Sequence, residues 1–197
     1  MSQAGQPEPK RRQHKPCAIR EIDPGSMDEI DWVARGMRRT LIEVEGEEVG
    51  TALYTIDWLI QRVRWHLDPD QCIGKVFVAE DRPGHIIGHT IVRIEFEDDG
   101  RKYGLFSTTY VDPASRKRAV ASDLLLHGEN WMHSHDLHAA ATWTSATNKK
   151  LISLYEKHGY EITAHYTHDV TGTPMVKLGK MFGQASPRDD GGSGLRP

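Results

Sequence analysis

The sequence predicts an α/β domain. Three observations carry that reading. Periodic segments follow in the order strand, two helices, three strands, helix, strand, helix, two strands. The helical stretches repeat apolar residues at three- and four-residue intervals, whereas the strand stretches alternate or run apolar over short lengths. Clusters such as Asp81-Arg82-Pro83-Gly84 and Asp98-Asp99-Gly100 punctuate the runs as turns do.

Taken in order, Cys17 to Ile22 reads as a short first strand, and Asp23-Pro24-Gly25-Ser26 as the turn that follows it. Ser26 is placed to cap a helix, with Glu29 at the capping-box position and Ile30, Val33, Met37, Leu41 and Val44 as the apolar face. A second helix is expected from about Glu47 to Leu67, ended by Asp68-Pro69. Strands are expected at Lys75 to Glu80, Gly88 to Phe96 and Lys102 to Val111. After Val111-Asp112-Pro113 turns the chain, Arg116 to Ser122 open a helix whose apolar row is Val120, Leu124, Leu125, Gly128, Trp131 and Met132. Ala139 to Ser145 reads as a strand because Thr142, Trp143 and Thr144 outweigh the alanines. Asn148 begins the next helix as its cap, Gly159 ends it, and Tyr160 to Thr163 resumes an alternating strand.

At 197 residues, with 38% hydrophobic and 27% charged residues, the chain can bury the core of one domain, which we bound at 17–182. Residues 1–16 carry Lys10, Arg11, Arg12 and Lys15 and read as a disordered basic tail, and 183–197, with Gly191-Gly192-Ser193-Gly194, as a flexible one. A net charge of −3 gives no basic footprint, so no nucleic-acid partner is expected. No apolar run reaches a membrane span and the first residues lack a signal-peptide core, so the expected location is the cytoplasm, with Cys17 and Cys72 reduced. His127, His133, His135 and His138 spread over a helix face and its following loop without ligand spacing, and no metal is expected. Glu43, Glu45, Glu47 and Glu48 cluster at a helical connection, where they read either as a solvated surface or as a seat for a cation.

Two motifs carry the chemistry. The helix start at Arg116 combines small residues, backbone amides and three cations, Arg116, Lys117 and Arg118, which by themselves read either as a seat for a phosphate-rich ligand or as a surface helix start with solvated cations. Asn148 and Tyr155 lie seven positions apart, about two helical turns, and so project from one face. Tyr155 alone would read as a core aromatic in the stripe Leu151, Leu154, Tyr155, His158.

The stretch from about Lys75 to Met181 resembles a GNAT-superfamily N-acetyltransferase domain. The family's Arg/Gln-x-x-Gly-x-Gly/Ala signature falls on Arg116-Lys117-Arg118-Ala119-Val120-Ala121, and its Asn-x6-Tyr helix on Asn148 to Tyr155. One position departs from the pattern, since Ala119 stands where the first signature glycine would be. The resemblance implies a mixed, mostly antiparallel central sheet flanked by helices and splayed between strands four and five. It implies acetyl-CoA as co-substrate, contacted by Thr109, Tyr110 and Val111, by the amides of Lys117, Arg118, Ala119, Val120, Ala121 and Ser122 after Arg116, and by Asn148. Tyr155 would be the catalytic proton donor to the thiolate. The implied partner is an amine acceptor, a small molecule or a protein, with a homodimer among the open oligomeric states.

The reaction is attack of an amine on a thioester. An alkylamine with a pKa of about 10.4 is mostly protonated at neutral pH, so a base must take its proton. Glu80, His89 and Glu95 are candidates and equally read as ordinary strand residues. Two functions fit these residues: an N-acetyltransferase using acetyl-CoA or a longer acyl-CoA, and a non-catalytic acyl-CoA-binding or interaction module on the same fold.

Overall fold

The computed structural model describes residues 17–169 and 171–183. The tails expected at 1–16 and 183–197 lie outside the described residues, Gly183 excepted. Seven strands form one sheet in the order β1-β2-β3-β4-β5-β7-β6. They are β1 Ala18–Glu21, β2 Gly74–Arg82, β3 His85–Phe96, β4 Lys102–Val111, β5 Ala139–Ser145, β6 Glu161–Thr167 and β7 Pro174–Met181. The β4–β5 pair is parallel, and β1–β2, β2–β3, β5–β7 and β6–β7 are antiparallel. This is the mixed, mostly antiparallel sheet that the motifs implied. Two compact units partition the described chain: residues 17–93 with Ser107–Gly128, and Ile94–Phe106 with residues 129–169 and 171–183.

In the first unit, α1 (Met27–Glu45) and α3 (Ile56–Leu67) build the core with strands β2 and β3. Ile30, Val33 and Ala34 of α1 and Leu59 and Val63 of α3 cluster with Val76, Val78 and Ile91. Ser26 caps α1, its Oγ accepting the Glu29 amide at 3.4 Å. The reciprocal half of the capping box is replaced. The Glu29 carboxylate accepts from the Asp23 amide at 3.0 Å and from two nitrogens of Arg20 at 2.9 and 2.8 Å, tying α1 to β1.

The long second helix expected over 47–67 is two helices. The first, α2, spans Glu47–Ala52. At Gly50 a Cβ would lie 2.6 Å from the Ile42 backbone, so α2 packs directly on α1 and its direction is fixed by that contact. The chain then turns, Thr55 caps α3 by accepting the Trp58 amide at 3.1 Å, and Tyr54 stacks on Trp58 at 4.2 Å.

The helix expected to open at Arg116 begins later. Pro113–Ser115 form a single 3-10 turn, residues 116–119 are a loop, and α4 runs Val120–Ser134. Lys117 at φ 61° and Ala119 at φ 58° occupy the left-handed region, which a right-handed helix cannot use. The buried row of α4 comprises Val120, Leu124, Leu125 and Met132 as expected, while Trp131 is only partly covered.

In the second unit β5 is a strand despite its alanines, because all seven residues pair with β7, from Ala139↔Met181 to Ser145↔Met175. Gly104 of β4 permits a close contact there: a Cβ would run into the Met132 side chain. The last helix, α5 (Lys149–Lys157), ends at Gly159, φ 84°. Lys180 meets the buried Glu129 carboxylate at 2.8 and 3.0 Å, the pairing that a buried charge requires.

Candidate active site

Parallel pairing between β4 and β5 covers Gly104↔Ala140, Leu105↔Ala141 and Phe106↔Thr142. Both strands continue, β4 to Val111 and β5 to Ser145, beyond the last registered pair. Thr142 Oγ1 donates to the Phe106 carbonyl at 3.0 Å, marking the point where pairing ends.

Beyond that point the first unit carries Thr109, Tyr110 and Val111. Thr109 shares a 2.9 Å hydrogen bond with Thr90 of β3. Tyr110 is 3% exposed, with its ring against Trp32 at 6.0 Å and His89 at 5.8 Å, and its hydroxyl accepts from Arg39 Nη1 at 3.2 Å. The Tyr110 side chain is therefore committed to packing, so any ligand contact here falls to its backbone. The Val111 carbonyl accepts from Arg116 Nε at 2.9 Å.

The loop that follows is shaped by its ends. Asp112 accepts the Ala114 amide at 3.0 Å, and the Ala119 carbonyl accepts the Asp123 amide at 3.0 Å, which starts α4. Lys117, Arg118 and Ala119 are exposed, Val120 is buried, and Ala121 and Ser122 are half-buried. Arg116 Nη2 donates to Glu43 of α1 at 2.5 Å, and Arg118 lies 3.7 Å from Asp81. Ala119 thus adopts the backbone conformation that a glycine would, and the methyl group costs about 1 kcal/mol without changing the turn. Three cations and a helix start gather in one loop, the setting for an anion.

The second unit carries Asn148 and Tyr155. Asn148 Oδ1 accepts the Leu151 amide at 3.3 Å, as a cap does, while Nδ2 donates to Thr144 Oγ1 of β5 at 3.0 Å. That second bond orients the cap from the strand before it. Tyr155 is 1% exposed and edge-on to both Phe106, at 5.7 Å, and Tyr160, at 4.8 Å.

Of the base candidates, Glu80 is buried and held by Arg20, whose Nε donates at 3.0 Å. His89 is fully buried, and neither ring nitrogen has a hydrogen-bond partner. Burial drives its pKa down to about 3, so it is neutral over the working range. Glu95 sits half-buried on β3. Among the described residues no group of three or more His, Cys, Asp or Glu could hold a metal ion, and no helix is long and apolar enough to cross a membrane.

Reasoning from sequence missed Arg39, Trp32 and Gly36. A Cβ on Gly36 would lie 2.7 Å from His89 and 2.9 Å from the Tyr110 ring, so this glycine lets α1 approach β4. The available signal was spacing: Trp32, Gly36, Arg39 and Glu43 recur at helical intervals as a second face of α1, beside its apolar one.

This chain is similar in fold to several solved proteins. Among solved structures, the ribosomal-protein-alanine N-acetyltransferase from Brucella melitensis superposes with a TM-score of 0.66 at 15% identity, covering 84% of this chain and 99% of that one. The yncA protein from Salmonella typhimurium, solved with acetyl-CoA, gives a TM-score of 0.66 at 15% identity over 89% of this chain and 99% of its own. Mycothiol acetyltransferase from Acidimicrobium ferrooxidans is 22% identical over 86 residues, 44% of this chain but 28% of that relative, so the likeness spans under a third of its length. The structural neighbours share the fold. The model of the acetyltransferase (GNAT) family matches residues 51–160, more than half of the chain, and that stretch holds β4, the Arg116–Ser122 loop and the Asn148–Tyr155 helix: the chain belongs to the GNAT acetyltransferase family.

Proposed function

We propose that this protein transfers an acetyl group from acetyl-CoA to a primary amine, acting in the cytoplasm as the domain spanning 17–182. The observation that carries the reading is the run from β4 into its loop: pairing with β5 ends at Phe106, five strand residues follow, and three cations then surround a helix start. Backbone groups of Thr109, Tyr110 and Val111 would align the pantetheine arm. Amides from Lys117 to Ser122, beside the Arg116 guanidinium, would hold the pyrophosphate. Asn148 would contact the pantetheine side, within the limits set by its cap.

When bound, the coenzyme supplies an activated acetyl thioester. Nitrogen–carbon bond formation at the acetyl carbonyl accompanies loss of the carbon–sulfur bond, and the departing sulfur needs a proton. Tyr155 is the donor in this reading. Its ring, packed between Phe106 and Tyr160, would fix the direction of the hydroxyl, since a buried phenol places its O–H by ring packing. The full burial of His89, which makes it a weak base shut away from solvent, and the commitment of Glu80 to Arg20 leave the acceptor's proton to Glu95 or to water. One structural neighbour is named for a protein acceptor and the curated relative for a small molecule, and both classes fall within the proposal.

Calorimetric titration with CoA and a thiol-release assay across a panel of amines and peptide N-termini test the reading. Saturable binding with turnover on one acceptor is expected. On that acceptor Tyr155→Phe should lose about 10²-fold in turnover, the low end of general-acid catalysis, while binding CoA normally. Full turnover by Tyr155→Phe would remove the donor role, and coenzyme binding without turnover on any acceptor would favour a binding module.

A further inference from the structure

Trp32, Gly36, Arg39 and Glu43 share one face of α1, and each meets the end of β4 or the loop beyond it. Trp32 lies edge-on to His89 and Tyr110, and Gly36 makes the room for both rings. Arg39 donates to the Tyr110 hydroxyl and sits 3.6 Å from Asp112. Glu43 completes the row at Arg116, 73 positions along the chain, with its Oε1 2.5 Å from Nη2.

A guanidinium fork receives a carboxylate and a phosphate with the same geometry. Arg116 already donates through Nε to the Val111 carbonyl, and Nη2 is the nitrogen turned to Glu43. We propose that Glu43 is an internal stand-in for a coenzyme phosphate at Arg116, and so a residue that sets coenzyme affinity by competing for that guanidinium. The proposal rests on the coenzyme reading above. Glu43 is one of four glutamates that looked like a single acidic cluster, but it faces the loop, and its carboxylate already engages a cation.

Energetics favour exchange. The side chains are 30% and 40% exposed, and an ion pair this open to water is weak. A multiply charged phosphate makes stronger charge-assisted bonds to the same donor. Exchange would also release the Glu43 carboxylate, which could then attract a cationic acceptor. By linkage, a cation held there would tighten coenzyme binding by the same factor.

A double-mutant cycle tests this on the full chain, with CoA as titrant and circular dichroism confirming that each protein is folded. Glu43→Gln removes the competing charge and should tighten CoA binding by about threefold, the scale of an exposed ion pair. Arg116→Gln should weaken binding by about tenfold, the scale of a charged hydrogen bond. The double variant should match Arg116→Gln, because Glu43 acts only through Arg116. Weaker or unchanged binding by Glu43→Gln would overturn the proposal, since Glu43 would then be a strut or a bystander. Tightening that persists in the Arg116→Gln background would overturn it as well, assigning the effect to the general field. If the folded native chain binds CoA and the cycle shows no coupling, only the Glu43 role falls; if it does not bind CoA at all, both readings fall.

Discussion

The two motif-bearing segments, one in each unit, are held in opposite ways. The Arg116–Ser122 loop exposes Lys117 and Arg118 and half-buries Arg116, and its fixed points are partners distant in sequence: Glu43 for Arg116 and Asp81 for Arg118. The α5 segment is held by neighbours and by packing. Asn148 bonds within four residues on either side, and Tyr155 is enclosed by Phe106 and Tyr160. The first segment depends on charge and backbone strain, so salt, pH and single charges should move it. The second depends on close packing, so it should yield only to changes of shape. In the proposed function the first would admit and release a phosphate, which suits weak surface pairs, and the second would aim a proton donor, which suits a buried ring.

Tyr155→Ala breaks the comparison hardest. Removing a ring that is 1% exposed leaves a cavity between Phe106 and Tyr160, and losses for buried aromatics run to about 3–5 kcal/mol. Chemical denaturation should show a midpoint drop on that scale, against a small change for Tyr155→Phe. A near-neutral Tyr155→Ala would mean that α5 is not held by packing.

Acid sharpens the contrast from the other side. His66 and His89 of the first unit both have pKa values lowered to about 3, chiefly by burial, from an ordinary value near 6.5. Below about pH 6.5 the unfolded chain takes up protons that the folded chain refuses, so stability is full above that value and falls as the pH drops toward 3. His89 packs on the Tyr110 ring, which lies beneath Arg116, so this loss reaches the loop proposed to hold the phosphate. Urea midpoints measured from pH 7.5 to 4 should hold to about pH 6.5 and then fall, and His89→Leu should shallow the slope below pH 6.5 by about one proton. An unchanged slope would show that His89 is not held neutral in the folded chain.

What the sequence made legible follows the same division. The strands and the α5 helix were readable because their signals are local: a short apolar run over 76–79, a cap at Asn148, a terminating Gly159. The β5 strand was readable through Thr142-Trp143-Thr144 even though its alanines favour helix, and pairing with β7 explains why they yield. The division of residues 47–67 into two helices was hidden because Leu53 and Ile56 sustain an apolar period through the break. Thr55, followed three residues later by Trp58, was the overlooked cap. The loop's extra length was hidden because Lys117 and Ala119 are not residues that announce a left-handed backbone. Glu43 was grouped with its sequence neighbours, since nothing local distinguishes a glutamate aimed at an arginine 73 positions away.

Ala119→Gly gives the smallest effect and the sharpest test of strain in the loop. Ala119 sits at φ 58°, where an L-residue pays about 1 kcal/mol that glycine does not. Glycine also enlarges the unfolded ensemble, which offsets part of the gain, so the variant should be more stable by about 0.5 kcal/mol or less. Its effect on the ligand should exceed its effect on the fold. Glycine lacks the methyl group that crowds the backbone amides, which favours closer approach by a pyrophosphate, so CoA affinity should rise by a few-fold. Titration of Ala119→Gly beside the native chain, with thermal unfolding of each, separates the two terms. Tighter CoA binding with nearly unchanged stability would place the cost of Ala119 at the ligand. A stabilised variant with unchanged affinity would place it in the loop alone, with the amides already open to phosphate.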